Sequence, residues 1–467
     1  MRVAAATILA LLLGGSAAAG TFSTPPSTTN NDDSCDIALE PAATLLLPYF
    51  EVDFNTSPAA AVQTIFTVQN VSAYPQIANV TLWTDWGFPA FNFSIFLTGY
   101  DVQPVNLYDV FATGALPSTS SSSTVPFNPT PGSQAQGNAA NPNFLPGAVA
   151  ACAGTPFALS PPLLADLRLL FTTGTSSGVC SQAVGGTHAN AIGYATIDVV
   201  ATCAAKNPSS SDYISGILLF DNTLTGDYQL IVPRGAKSYA QGGTLVPIRA
   251  IPEGGAAGAI APTNLPYTFY DRYTRALLAR TADRRQPLPS AFVPRYIESG
   301  ANGFNTSLKI WRETKSSGAC SGADAAALAR SMTIAEAVRF DEHENAAVLT
   351  NTLGIIPVPP APATAATAIV SSTSFLFPPN IFRDAGGWLY LNLNNGGSNN
   401  YSTSRPGFAR PSSVVRASQN WAIVSFFAEP TYAVELPAIA LGNGCSPPRP
   451  FSSEPGGNIG PAPNPTP

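Results

Sequence analysis

The stretch ANVTLWTDWGFPAFNFSIFLTGYDV, from Ala78 to Val102, constrains the fold more than any other part of the chain. Val80 and Leu82 share one side of an extended segment, and in FNFSIFL the residues Phe91, Phe93, Ile95 and Leu97 alternate with Asn92, Ser94, Phe96 and Thr98. QTIFTVQNV repeats the pattern, with Thr64, Phe66 and Val68 on one face. Side chains alternate across a strand with a period of two. Segments of this kind, rich in aromatic and β-branched residues and broken by SAYP and WGFP, therefore read as half-buried antiparallel strands. One apolar face needs a second sheet to cover it. The expectation is an all-β fold, mainly an antiparallel β-sandwich of Ig-like or jelly-roll-like type, with a small helical insertion and long loops.

The chain opens with MRVAAATILALLLGGSAAAG: one charge at Arg2, an apolar run from Ala4 to Leu13, then small residues. This order reads as a secretory signal peptide, residues 1–19, cleaved after Ala19; the apolar run is too short to span a bilayer. Residues 20–34 and 446–467 read as disordered tails, 35–115 as the first sandwich strands and 116–148, rich in Ser, Pro and Asn, as a low-complexity loop. The remaining β-rich region, 149–445, carries a helix at 160–173 and closing strands at 387–441. In SPPLLADLRLLFTTG, Ser160 is placed as N-cap, Pro161 in the first turn, Leu163, Leu164, Leu167, Leu170 and Phe171 on the packed face, and Gly174 as the stop. A hairpin is expected to turn near NTLTGD.

Charged residues make up 11% of the chain, less than half of the roughly 25% usual in globular proteins, and the formal net charge is −6. Without a basic stripe, nucleic-acid binding lacks its electrostatic basis. Six cysteines, Cys35, Cys152, Cys180, Cys203, Cys320 and Cys445, stand far apart with no C-x-x-C pair, and an even count in an exported chain reads as three disulfides. The short loop between them favours Cys152 with Cys180; Cys35 with Cys445 and Cys203 with Cys320 complete one of several possible sets.

Candidate sites are sparse. Trp83 and Asp85 fall opposite Val80 and Leu82, where a tryptophan could stack on a sugar ring beside a carboxylate, or pack under a loop while Asp85 begins the DWGFP turn. Arg272, Arg275, Arg280, Arg284 and Arg285, interleaved with Tyr270 and Tyr273, could grip an acidic polysaccharide or a partner protein, or form a solvated helix or loop. Asp341, Glu342, His343 and Glu344 in FDEHEN, and Asp221 with Asp227 in DNTLTGD, are the oxygen-rich loops. Calcium is the one cofactor they would suit, although neither has EF-hand spacing and H-E-x-x-H is absent. GTSSG matches G-x-S-x-G around Ser176, and His188 is one of only two histidines, yet the motif follows a helix rather than joining a strand to one.

TIFTVQNVS, ANVTLWTDWG, FLTGYDV, VNLYDVF, GYATIDVV and the late ALGNGC together resemble a group of exported proteins of environmental bacteria to which no activity is assigned. The resemblance implies secretion and a β-rich fold. With no complete catalytic constellation, the expected function is that of an exported, non-enzymatic structural, adhesive or surface-interaction protein, extracellular or periplasmic. Its partners would be an extracellular polysaccharide, a surface protein or further copies of itself, with no membrane insertion. The alternative is a carbohydrate-binding protein or glycan-acting enzyme that uses an aromatic and carboxylate surface.

Overall fold

The computed structural model describes residues 39–117, 141, 143–153, 158–176, 183–204, 206–210, 213–234, 237–250, 285–297, 304–313, 333–334, 336–348, 356–357, 367–371, 386–393, 419–428 and 432–441. Elements are numbered along the chain. The central sheet has the order β4 (Pro89–Leu97), β3 (Gln76–Thr84), β6 (Ala191–Val200), β1 (Thr44–Val52) and β9 (Val246–Ile248). A second sheet runs β5 (Val102–Asn106), β2 (Gln63–Asn70), β7 (Leu224–Arg234) and β8 (Lys237–Thr244). The third runs β17 (Thr367–Ser371), β12 (Phe304–Arg312), β19 (Asn420–Ala428) and β20 (Tyr432–Pro437). In the fourth, β15 (Ala346–Val348), β14 (Glu336–Asp341), β18 (Gly386–Asn392), β10 (Ala291–Val293) and β21 (Ile439–Ala440) lie in order, with β11 (Arg295–Ile297) also on β18. A small pair, β13 (Thr333–Ile334) and β16 (Ile356–Pro357), stands apart. Four described helices are inserted: α1 (Leu107–Ala112), α2 (Ala148–Ala153), α3 (Pro161–Thr172) and α4 (Tyr213–Gly216). The strands pair antiparallel in several packed sheets, the sandwich-like all-β class that the alternation predicts.

The register of the central sheet explains its two faces. Val80 and Leu45 pair with Ile197, and Leu82 with Ala195, so these apolar residues share one face. Asn79 and Thr44 pair with Asp198, Thr81 with Thr196 and Trp83 with Tyr194, which puts a polar and aromatic set on the other. β1 would lose this order beyond Leu47 if it ran straight. Its register shifts between Leu47 and Phe50, so that Phe50 meets Gly193 on the apolar face while Glu51 joins Tyr194 and Thr196 on the polar one. At Gly193 the crowding leaves no room for a side chain: a Cβ there would lie 2.2 Å from the Trp83 carbonyl oxygen and within 3 Å of the Phe50 and Phe171 rings.

Helices close the apolar face. Phe171 of α3 and Phe111 of α1 pack on Phe50 and on each other, with ring centroids 5.1 to 6.0 Å apart. Arg168 locks the two helices together by donating through Nε to the Phe111 carbonyl at 2.7 Å and lying over the Phe54 ring. α3 begins after Ser160 as expected, although the Ser160 side chain makes no capping hydrogen bond, and Gly174 follows it with φ +70. Leu167, Leu170 and Phe171 are buried, whereas Leu163 is exposed and so leaves the packed face assigned to it.

Against the polar face stands the third sheet, with Trp311 of β12 set edge-on to Tyr194 at 5.8 Å. Trp83 is fully buried, its ring parallel to that of Tyr194 and its Nε1 donating to Thr196 Oγ1 at 2.9 Å. It is a core residue and forms no surface platform. Two further expectations are corrected. Cys152 is bonded to Cys203, not to Cys180, so the covalent link ties α2 to the segment after β6 and the proposed Cys203–Cys320 pair is also overturned. The pairing of Cys35 with Cys445 lies outside the described residues. NTLTGD is not a turn: β7 runs through it from Leu224, and the hairpin pairs Arg234 with Lys237.

Because Trp83 fills the joint between two sheets, Trp83→Ala is expected to cost about 3–5 kcal/mol of unfolding free energy, measured by denaturant titration. A loss below about 1 kcal/mol would contradict its place in the core.

Candidate functional site

Three sheets meet in a polar seam beside β1. After the register shift, Tyr49 and Glu51 project into it, and the Tyr49 hydroxyl donates to Glu51 Oε2 at 2.9 Å. Asn190 Nδ2 donates to the other carboxylate oxygen at 2.6 Å, and the backbone N–H of Glu51 donates to Thr64 Oγ1 in β2. From the third sheet, Lys309 of β12 reaches over the Tyr49 ring, with Nζ 5.8 Å from its centre, and forms a buried ion pair with Glu435 of β20. Tyr228 of β7 donates to Glu435 Oε2 at 2.9 Å, and Ser425 of β19 donates to Oε1 at 3.1 Å. Gln241 Oε1 of β8 accepts from Lys309 at 3.4 Å. Burial pushes the Lys309 ammonium down to about 7, with the Glu51 charge acting against that shift. Burial raises the Tyr49 hydroxyl well above its ordinary range, helped by the charge and hydrogen bond of Glu51 and by the charge of Asp85.

At the outer end of the seam is the Asp85–His188 pair, 2.8 Å apart, with the imidazole partly open to solvent. Asp85 also accepts from the Gly186 backbone N–H at 2.8 Å, and His188 N–H donates to the Thr172 carbonyl at the end of α3. The loop VGGTH is thereby pinned between the β3–β4 turn and the helix. A Cβ at Gly186 would lie 2.7 Å from both Asp85 Oδ2 and His188 Nε2, so any side chain there would displace the pair. His188 answers to Asp85 rather than to Ser176, whose hydroxyl donates to Asp166.

Elsewhere the candidates are spent on structure. Asp198, on the polar face, accepts from Thr44 at 2.6 Å, from Tyr213 at 2.7 Å and from Arg285 at 3.0 Å, all of them buried. Arg285 is fully buried, so this member of the basic cluster is an internal ion-pair partner and not part of a solvated helix or loop. Tyr270, Arg272, Tyr273 and Arg275 lie outside the described residues. Asp341 Oδ1 accepts from the backbone N–H groups of His343 and Asn345, both at 2.8 Å, which makes FDEHEN the turn between β14 and β15 with His343 and Glu344 facing solvent. Asp221 is buried and bonded to Asn143 Nδ2 at 2.9 Å, whereas Asp227 sits on β7 and accepts from Thr67 at 2.6 Å. Among the described residues no three His, Cys, Asp or Glu side chains gather as a metal site.

Sequence reasoning missed Tyr49, Glu51, Lys309 and Glu435. The signal was present: each charge interrupts an apolar strand, in LLLPYFEV, SLKIW and YAVELP, within a chain poor in charges. A charge in such a run needs a partner from a distant strand, which the linear pattern does not identify. No protein-family model, curated protein or solved structure matches the chain, so the chemistry of the seam rests on its own geometry.

Asp221 gives a pH test of the described interior. Burial raises its carboxyl from 3.8 to about 7, against the Asn143 hydrogen bond. Below 3.8 both folded and unfolded chains hold the proton; between 3.8 and about 7 only the folded chain keeps it, so its contribution to stability is lost as pH rises through that window. Asp221→Asn, which keeps an acceptor for Asn143 without a charge, is expected to match the wild type at pH 4. It should gain on the wild type by about 1.4 kcal/mol per pH unit towards pH 7, as read from denaturant midpoints.

Proposed function

We propose that the chain is an exported, non-enzymatic structural or surface-interaction protein that associates with further copies of itself. The observation that carries this reading is a run of exposed apolar side chains where the chain passes from β20 to β21. Tyr432, Leu436, Ile439 and Leu441 are exposed, with Ile439 at 68%, while Glu435 between them points into the seam. A charge-poor surface with such a run favours contact with another surface. β21 also pairs with β10 in the described fold at the end of its sheet, a position from which strands recruit neighbours.

Export is supported by the leader sequence, by the Cys152–Cys203 disulfide and by solubility built on hydroxyls and amides. No described helix is long and apolar enough to cross a membrane. Within the seam and the polar face, carboxylates and cations hold sheets together, a use of charge suited to a durable scaffold.

Light scattering on the mature, oxidised protein across a dilution series tests the reading. Association that rises with concentration and is weakened by Ile439→Asp is expected. A monomer at every concentration would contradict self-association through this run, and robust turnover of a substrate would contradict the non-enzymatic reading.

A further inference from the structure

In the third sheet, β19 separates β12 from β20. Ser425 pairs with Ser307 on one side and with Glu435 on the other, and Lys309 lies two residues beyond Ser307, so Lys309 and Glu435 project from the same face across the intervening strand. Their side chains are 4% and 1% exposed and their charged ends are in direct contact. Around them stand Tyr49, Glu51, Tyr228, Ser425 and Gln241, contributed by four further strands.

An ammonium and a carboxylate do not condense in water, where both ions are strongly solvated and the product amide competes with the solvent itself. In this seam neither obstacle has its usual size. Desolvation disfavours the separated charges, and holding the amine against the carboxyl replaces an encounter by a fixed geometry. Burial also moves Lys309 towards its neutral, nucleophilic form. The acceptor is activated too, since Tyr228 donates to Glu435 Oε2 at 2.9 Å and Ser425 to Oε1 at 3.1 Å.

We propose that Lys309 and Glu435 condense without an external enzyme into an intramolecular isopeptide bond that joins β12 to β20. A proton passes from the ammonium to the carboxylate, and the freed amine pair attacks Cδ of Glu435. The Nζ–Cδ bond forms, the Cδ–Oε1 bond breaks, and Oε2, held by Tyr228, remains as the amide oxygen. Ser425 Oγ, 3.3 Å from Lys309 Nζ and 3.1 Å from Glu435 Oε1, relays the second proton from the nitrogen to the departing hydroxyl, which leaves as water. No oxidant or cofactor enters the balance. The product removes two buried charges and closes a covalent loop between two strands separated by more than a hundred residues of sequence.

The staple goes beyond the surface-protein reading and is judged on covalent structure, so either can fail without the other. The test is a tryptic map of the full-length protein after reduction and alkylation. The expected species is the peptide Tyr296–Arg312, uncut at Lys309, joined to the peptide that carries Glu435, with a combined mass lower than the two linear peptides by one water. Cleavage after Lys309 throughout, with both peptides linear, would overturn the proposal. Lys309→Arg, which keeps the charge, is expected to give only linear peptides. Ser425→Ala is expected to lose most of the branched species; a wild-type yield of it in that variant would overturn the role of Ser425.

Discussion

The central sheet buries a polar face, and the rest of the structure follows from what that requires. Asn79, Thr81, Thr196, Asp198 and Thr44 all lie inside, where an unpaired polar group costs about 1–3 kcal/mol and an unpaired charge more. Asp198 is answered by three donors, and Arg285 is carried to it from a part of the chain remote in sequence. The third and fourth sheets are therefore not covers laid over a finished sandwich. The third sheet supplies Trp311 and Lys309, and the segment before β10 supplies Arg285, to groups that the first half cannot satisfy alone. One large hydrophobic cluster consequently draws on both halves, beside a smaller one of Val338, Phe340 and Tyr390.

The alternating strands were legible because a period of two survives in the linear text. Val80, Leu82, Phe93 and Ile95 are buried as their spacing implies, and α3 lies between its Pro161 and Gly174 signals. The shift in β1 between Leu47 and Phe50 changes which residues face the apolar side; its local signal is Pro48, which an interior strand holds only at a bulge. What the sequence did not reveal has a common cause. Loop length points Cys152 to Cys180, but α2 packs near the end of β6 and brings Cys152 to Cys203. Adjacency groups Arg285 with its basic neighbours, although its partner Asp198 lies 87 positions away.

The same limit applied to the candidate site. Asp85 is expected either on an exposed surface with Trp83 or at the start of the DWGFP turn; the structure sets it at that turn and gives it His188 and the Gly186 backbone, contacts made across about a hundred residues. Asn70 and Asn79 head N-x-S/T triplets, yet both are buried, with Asn70 donating to the carbonyls of Tyr74 and Thr98 and Asn79 to Tyr213. These asparagines serve the fold. Residue type narrows what a side chain can do, and only its distant partner decides which of those things it does.

The claim that the buried polar face is the fold's fixed point is tested most directly by native-state hydrogen exchange of the β3 and β6 amides. These amides are predicted to exchange only through global unfolding, with opening free energies equal to that of the whole transition. Exchange through local opening, while α1, α3 and the apolar face stay protected, would show that the polar contacts of Asp198, Arg285 and Trp83 are peripheral to the fold and would contradict the account.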